Sequence, residues 1–227
     1  MPRKPRVSAP GLPLHVVQRG NDRQCCFRGD ADCFRYLSML RRAASLTGCV
    51  LHAYVLMSNH VLLLLTPQSA GAASRLMQHL GRRYVRYFND AHVRSGTLWE
   101  GRFHASLVGD DAYVLACYRY IELNPVRAGM VDHPARYRWS SYACNALGKR
   151  AGEVVPHATY MALGQDASAQ QQQYVSFVES TMPEGQIGQI RRSLQRQRPL
   201  TKEAKSTKRG QSQGSESFRR QQKDSDP

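Results

Sequence analysis

The pattern of apolar and polar residues near the start of the chain changes from strand-like to helix-like. Residues 13–19 follow the period of two that is typical of a β-strand. Residues 30–48 instead carry apolar side chains at helical spacing, at Phe34, Leu37, Leu40 and Ala44. Gly48 then provides a stop signal. The pattern therefore predicts a strand followed by a helix.

The next segment predicts a β-hairpin and a second helix. Residues 49–57 and 60–66 are two apolar runs of strand length, and the polar pair Ser58-Asn59 separates them. Two polar residues between such runs are typical of a tight hairpin turn. Ser74 then suggests the start of a helix, whose apolar face carries Leu76, Leu80, Tyr84 and Phe88.

The last strongly patterned segment predicts one more strand and one more helix. Residues 102–108 have the pattern of a strand, and residues 110–124 that of a third helix, which Pro125 is expected to end. The order βαββαβ is typical of a ferredoxin-like fold. We therefore expect an α+β domain whose antiparallel sheet has helices on one face, with an additional C-terminal helix that carries Tyr120.

Charge and apolar content divide the chain into four parts. Residues 1–11 form a basic N-terminal arm, and residues 12–145 contain the predicted α+β domain. Residues 146–198 have weaker periodicity, with a helix predicted around residues 170–178, so we expect a partly helical extension. Residues 199–227 are mostly polar and basic, with too little apolar surface to order a chain by burial. We expect a disordered basic tail there.

The composition favours nucleic acid as a partner. The 227 residues include 32 Lys and Arg against 17 Asp and Glu, a formal charge of +15, which attracts polyanions and makes binding depend on salt. The longest aliphatic run, residues 61–65, is far shorter than the ~20 residues of a membrane span. The cysteines show no paired spacing, and the N-terminus lacks a signal-peptide pattern. We expect a cytoplasmic protein with reduced thiols, no membrane contact and no small-molecule cofactor.

His60 and two residues of the third helix are the candidates for chemistry. Strand residues two positions apart share a face, so a histidine at position 62 would form half of a metal site with His60, but the chain has Leu62 there. Tyr120 and Asn124 lie one helical turn apart, where a phenol nucleophile and an amide ligand can converge on one ion. Taken alone, Tyr120 would be an ordinary half-buried tyrosine and His60 a core histidine.

Five short segments in a fixed order carry a resemblance to a known family. They are RGNDR at 19–23, HAYVLMSNHVLLLLTP at 52–67, LWEGRF at 98–103, YIELNPVRAG at 120–129 and WSSY at 139–142. Together they resemble the REP-associated tyrosine transposases, which are relatives of the insertion-sequence HUH transposases. The resemblance covers about residues 12–145, with a weaker likeness through residues 187–200.

The resemblance implies a metal-dependent endonuclease and strand transferase that acts on single-stranded DNA with hairpin-forming palindromes. Tyr120 matches the family's nucleophile, His60 the first HUH histidine and Asn124 the third metal ligand, with Mg²⁺ or Mn²⁺ as the implied ion. Leu62 replaces the second histidine. The implied partner is single-stranded or hairpin DNA, bound by a monomer or a homodimer. Basic residues in or beside the recurring segments are candidate phosphate contacts, namely Arg19, Arg23, Arg102 and Arg127.

Leu62 leaves three functions open. The first is a transposase-type nuclease with weakened metal binding, because two neutral ligands hold a hard cation weakly. His104 could supply another donor, whereas His52 is predicted to lie on the opposite strand face. The second function is a non-catalytic protein that recognises hairpin DNA. The third is an RNA-binding ferredoxin-like module, which is disfavoured because residues 60–66 lack the aromatic RNP signature.

Overall fold

Four antiparallel strands form a sheet in the order β2-β3-β1-β4. The computed structural model describes residues 8–149, 152, 154–196 and 199–200. The strands are β1 (Leu14–Arg19), β2 (Cys49–Met57), β3 (His60–Pro67) and β4 (His104–Leu107). The predicted α+β class is confirmed, and the turn between β2 and β3 lies at Ser58-Asn59 as the sequence predicts.

Two long helices cover one face of the sheet. Helix α1 (Asp30–Thr47) and helix α2 (Ala72–Ala91) pack against each other and against β2. Gly48 ends α1 in the left-handed conformation with φ 66°, which glycine adopts without the steric cost of a Cβ. Helix α2 begins two residues before Ser74, and its predicted apolar face is buried at Leu76, Leu80, Tyr84 and Phe88.

Helix α3 (Asp111–Glu122) covers the opposite face, so the sheet has helices on both sides and not on one. The reason lies in β3, where residues 61–65 are all apolar and all buried. A strand that is buried on both faces needs cover on both. The Asp110 side chain caps the start of α3 by accepting a hydrogen bond from the Ala112 amide at 2.9 Å.

The predicted end of the third helix differs from the observed one. Helix α3 ends at Glu122, and a separate turn, α4 (Asn124–Arg127), follows. Pro125 lies in the first turn of α4, where its fixed φ and missing amide hydrogen are tolerated. Asn124 therefore starts a new helical turn and does not belong to the end of α3.

The C-terminal region adds helices to the α3 side of the sheet. They are α5 (Tyr142–Asn145), α6 (Ala158–Met161), α7 (Ala167–Glu179) and α8 (Glu184–Arg196). Several of their buried side chains join α3 in one apolar cluster, including Tyr160, Tyr174, Ile190 and Leu194. These helices therefore share a core with the helix that carries Tyr120.

The predicted basic tail begins with Pro199 and Leu200. Leu200 is buried and forms a β-bridge with Val108, beside β4. Residues 201–227 of the tail lie outside the described residues, as do residues 1–7 of the N-terminal arm. None of the helices in the described ranges is long and apolar enough to cross a membrane.

A β-bulge at His52 changes the direction of this side chain. Between residues 51 and 53, strand β2 contains one residue more than its partner β3. The His52 Nε2 lies 2.8 Å from the Thr66 hydroxyl, and Thr66 shares the strand face of His60 by alternation. His52 therefore lies on the α3 side of the sheet, and the prediction of the opposite face is wrong because a bulge shifts the alternation by one residue.

A buried carboxylate ties α3 to the C-terminal region. Glu122 is fully buried and accepts hydrogen bonds from Ser141 Oγ at 2.6 Å, Asn145 Nδ2 at 2.7 Å and Tyr174 Oη at 2.6 Å. Burial raises the pKa of Glu122 to about 7, and the three donors act in the opposite direction. A buried carboxyl group is tolerated when its oxygens are hydrogen-bonded in this way.

Replacing Tyr174 with Phe leaves a buried oxygen of Glu122 without one of its donors. We expect Tyr174→Phe to lower the free energy of unfolding by about 1–3 kcal/mol, as measured by chemical denaturation. Ser176→Ala, at an exposed position of the same helix, is the control and should change this free energy by less than ~0.5 kcal/mol. Equal stabilities of Tyr174→Phe and the unmodified protein would contradict the docking of α7 on Glu122.

Candidate active site

A cavity of about 520 Å³ lies between the sheet and the helices α3, α4 and α8. Most of the residues that the sequence predicts for the site line it, namely Arg19, His60, Arg102, Tyr120, Asn124 and Arg127. Arg23 does not line the cavity. The fold therefore gathers, in one place, candidates that come from four separate segments of the chain.

The register of the sheet determines which side chains face this cavity. His60 pairs with Arg19 and Leu62 with Val17 across β3 and β1, and Val17 also pairs with His104 on β4. Directly opposed residues of antiparallel strands share a sheet face, so His104 lies on the Leu62 face, two strands away. Leu62 is 3% exposed and belongs to the apolar cluster on the α3 side. Position 62 thus faces the cavity, where it offers no ligand.

His60 is a neutral imidazole in contact with two amide side chains. Its Nδ1 lies 2.8 Å from Asn59 Oδ1, and the ring also has a hydrogen bond with the Asn124 side chain. Burial lowers the pKa of His60 to about 4, Arg19 adds to this effect, and the contact with Asn124 opposes it. The ring is therefore uncharged at neutral pH, the form in which imidazole binds metal ions.

Tyr120 is 7% exposed, and its ring contacts a cation and a histidine. The guanidinium carbon of Arg127 is 4.3 Å from the centroid of the Tyr120 ring, and Nη2 donates to the Tyr120 carbonyl oxygen. The ring of His15 meets it edge-on, with centroids 5.6 Å apart. Burial lowers the pKa of Arg127 to about 10, Tyr120 opposes this effect and Arg191 adds to it. The phenol thus has a defined orientation with a positive charge beside it.

The cavity contains side chains of the types that bind divalent cations, but only a few of them. His60 and Asn124 supply an imidazole nitrogen and an amide oxygen, while Leu62, which the resemblance matches to the second histidine of the family, has no donor atom. Within the described residues, no group of three His, Cys, Asp or Glu side chains could hold a metal ion. Glu100 and His104 also line the cavity, but His104 is two strands from Leu62. Two neutral ligands would hold Mg²⁺ or Mn²⁺ only weakly.

Two further regions contribute cavity residues that the sequence analysis missed. Glu100 lies within the LWEGRF segment, and its backbone amide donates to the Arg19 carbonyl oxygen at 2.8 Å. Helix α8 contributes Arg191, Leu194 and Gln195. These three positions have the i, i+3, i+4 spacing of a single helix face, but this spacing alone does not show where the helix docks.

Arg23 belongs to a tight turn beside the cavity. Arg23 and Asp22 have positive φ values of 54° and 49°, which are uncommon for residues other than glycine. Gly20 precedes this turn, and a Cβ there would lie 2.2 Å from the Gln24 carbonyl oxygen. The RGNDR segment therefore requires glycine at position 20 for a close backbone approach.

The family model "Transposase IS200 like" matches residues 8–124, a range that contains the sheet, Tyr120 and Asn124. The chain belongs to the IS200-like transposase family. This membership confirms the predicted relation to the insertion-sequence transposases.

Two solved structures are similar to this IS200-like transposase. A REP-associated tyrosine transposase bound to a REP hairpin has a TM-score of 0.52 at 15% sequence identity, covering 70% of this chain and 96% of that one. A protein of Deinococcus radiodurans R1, solved as a candidate transposase, has a TM-score of 0.38 at 23% identity, covering 50% of this chain and 92% of that one. The first similarity shows a shared fold. The chain matches none of the curated proteins.

His15, which packs on Tyr120, contributes a pH dependence to stability. It is fully buried, and its Nε2 has no hydrogen-bond partner among the described residues. Burial lowers the pKa of His15 from 6.5 to about 3, and Arg127 adds to the effect. The unfolded chain therefore binds a proton at this histidine below about pH 6.5 and the folded protein does not, so the histidine destabilises the fold as the pH falls.

We expect His15→Leu to be more stable than the unmodified protein at acidic pH. The difference between their free energies of unfolding should grow by about 1.4 kcal/mol for each pH unit between roughly pH 6 and pH 4. Urea denaturation of both proteins over this range measures it. A difference that does not vary with pH would show that His15 takes up protons equally in the folded and unfolded states.

Proposed function

We propose that this IS200-like transposase binds DNA hairpins with a single-stranded flank and cuts and rejoins the flanking strand through Tyr120. The observation that carries this proposal is that Tyr120, His60 and Asn124 line one cavity together with several arginines. The hairpin ligand is supported by the structural relative, which was solved bound to a REP hairpin. The formal charge of +15 supports a polyanionic ligand.

Tyr120 is the proposed nucleophile. Its phenol oxygen attacks the phosphorus atom in line with the departing 3′ oxygen, so a bond between phosphorus and the tyrosine oxygen forms as the bond to the 3′ oxygen breaks. The phenol loses its proton, and the 3′ oxygen takes one up and leaves as a hydroxyl group. The resulting 5′-phosphotyrosine remains a phosphodiester, so a later 3′-hydroxyl can reverse the step and join strands without ATP.

His60 and Asn124 are the proposed ligands of a divalent ion, Mg²⁺ or Mn²⁺. When bound, such an ion supplies positive charge that polarises the phosphate and stabilises the departing oxygen. The neutral state of His60 at pH 7 suits it for this role, because its pKa is lowered to about 4 by burial. Since Leu62 contributes no donor, this site is expected to fill only at high ion concentrations.

Arg19, Arg102 and Arg127 are the proposed phosphate contacts in the cavity. Guanidinium groups bind phosphate oxygens through paired hydrogen bonds, and these three side chains surround the cavity that contains Tyr120. Arg23 lies in the neighbouring turn, and its role in DNA binding stays a prediction.

Leu62 favours a second candidate, a protein that binds hairpin DNA without cutting it. A buried leucine at the position of the second histidine removes a ligand on which metal-assisted cleavage depends. The arginines of the cavity are independent of that ligand and would still bind DNA. The two candidates differ in one measurable property, the covalent adduct with Tyr120.

Hairpin DNA with a single-stranded flank should bind more tightly than blunt duplex of the same length. Tyr120 is 7% exposed, so a phosphodiester can reach it only from an unpaired strand that enters the cavity. Fluorescence anisotropy at several salt concentrations measures both affinities, which should fall steeply with salt while the hairpin preference persists. Equal affinities at moderate salt would contradict the proposed ligand.

Leu62→His should increase covalent cleavage because it adds an imidazole beside His60. Labelled hairpin DNA is incubated with Mn²⁺, and adducts that survive SDS are separated on a gel. We expect weak or no adduct for the natural chain, more for Leu62→His, and none for Leu62→His combined with Tyr120→Phe. Leu62→Met is the matched control, since it keeps the side-chain volume and adds no ligand for a hard cation.

The risk of Leu62→His is the burial of an imidazole without a partner, which costs roughly 1–3 kcal/mol. Thermal denaturation establishes whether the variant is folded, and Mn²⁺ binding is measured separately from cleavage. A folded Leu62→His variant that gains neither Mn²⁺ binding nor adduct would contradict the proposed metal site and support DNA binding without catalysis.

A further inference from the structure

The guanidinium group of Arg127 has a hydrogen-bond donor that the described part of the protein leaves unused. One of its faces stacks on the Tyr120 ring, and Nη2 donates to the Tyr120 carbonyl oxygen. Nη1 is buried and has no partner among the described residues. An unpaired buried donor is unfavourable, and this one belongs to a side chain that lines an open cavity. A small shift of the side chain toward the cavity would let a ligand there accept its hydrogen bond.

Arg191 brings a second positive charge to the same cavity. It lies on α8, where the buried residues Ile190 and Leu194 belong to the apolar cluster around α3. The helix is therefore anchored by its neighbouring residues while Arg191 itself is exposed. Arg127 and Arg191 line the same cavity, and the charge of Arg191 contributes to the lowered pKa of Arg127, after the larger effect of burial.

Neither of these arginines is neutralised within the described ranges of the chain. The ion pairs found there involve other residues, and no carboxylate of a described residue lies within 4.0 Å of the nitrogen atoms of Arg127 or Arg191. Two neighbouring like charges without a counter-charge are unfavourable until an anion binds to both. A phosphodiester is such an anion, because its two non-bridging oxygens can each accept hydrogen bonds from one guanidinium.

We propose that Arg127 and Arg191 together clamp one phosphodiester of a DNA strand beside Tyr120, so that α8 forms part of the DNA-binding site. The clamp rests on the proposed DNA-binding function and deepens it. Arg191 lies outside residues 8–124, the range that matches the family model. The C-terminal region of this protein therefore contributes a binding residue of its own.

The neighbouring Arg192 provides a matched control for Arg191. Both arginines are exposed on α8, but only Arg191 lines the cavity. Binding is measured with a hairpin that has a single-stranded flank and with an unstructured oligonucleotide of the flank sequence. Arg191→Ala should weaken binding of both DNAs by about tenfold, as expected for loss of a charged hydrogen bond, and Arg192→Ala by less than about twofold. The loss of affinity in Arg191→Lys should lie between these two values, because lysine keeps the charge but loses the paired donors.

The use of two DNAs allows the clamp and the proposed hairpin preference to be tested separately. Equal losses in Arg191→Ala and Arg192→Ala would overturn the clamp, since they would reflect only the overall positive charge. Tighter binding or more adduct in Arg191→Ala would also overturn it, because α8 would then obstruct the cavity. Equal affinity of the unmodified protein for both DNAs would overturn the hairpin function, while the comparison of Arg191→Ala with Arg192→Ala on the oligonucleotide would still test the clamp.

A double-mutant cycle tests whether the two arginines bind the same phosphate. If they do, Arg127→Lys combined with Arg191→Ala should lose less affinity than the product of the two single losses. Losses that multiply would mean that the arginines contact separate phosphates, which overturns the clamp. Thermal denaturation of each variant accompanies the cycle because Arg127 is partly buried.

Discussion

The pairing of β3 with β1 decides which chemical groups the cavity contains. It places His60 opposite Arg19 and Leu62 opposite Val17, all on the sheet face that α3 covers. A slip of one residue would turn His60 toward α1 and α2 and present apolar side chains to the cavity instead. Residues 61–65 are buried on both faces of the sheet, so a slip would not expose any of them to solvent. It would instead place each side chain in the core that its neighbour should fill, and this mismatch of packing on both faces resists the slip.

Tyr120, the candidate nucleophile, is oriented by contacts that residues before and after it on α3 make. Arg119 donates to the Phe177 carbonyl oxygen and to Ser180 Oγ, each at 2.9 Å, and Glu122 accepts from Tyr174 at 2.6 Å. The contacts of Arg119 join α3 to the end of α7, and the contact of Glu122 joins it to the middle of α7. Because Tyr120 lies between these two anchors, the C-terminal region fixes the rotation of α3 and thereby the direction of the phenol.

The sequence predicted the elements whose periodicity is local and missed features that depend on distant contacts. The strands and the helices α1 and α2 follow from apolar spacing, and the motifs located Tyr120, His60 and Asn124. The direction of His52 depends on a bulge that alternation alone does not reveal. Arg191 lines the cavity only because α8 docks beside α3 and β4. The sequence of α8 does not reveal where this helix docks, so it could not place Arg191 in the cavity. Leu62 shows the reverse case, in which one residue identity changed the functional prediction without changing the fold.

Leu62 is compatible with the fold because its surroundings are already apolar. It pairs with Val17 on one side and Val55 on the other, and full burial of a leucine is worth roughly 1.5–3 kcal/mol. A histidine at this position would have to offset its desolvation with an ion or a hydrogen bond. The charged residues that line the same cavity are Arg19, Arg102, Arg127 and Arg191 against Glu100, so the local field attracts anions and opposes a divalent cation. DNA phosphates would reduce that opposition on binding, because they neutralise the arginines nearest to His60 and Asn124. A cavity lined by Leu62 and these arginines is therefore suited first to a phosphate and only then to a metal ion.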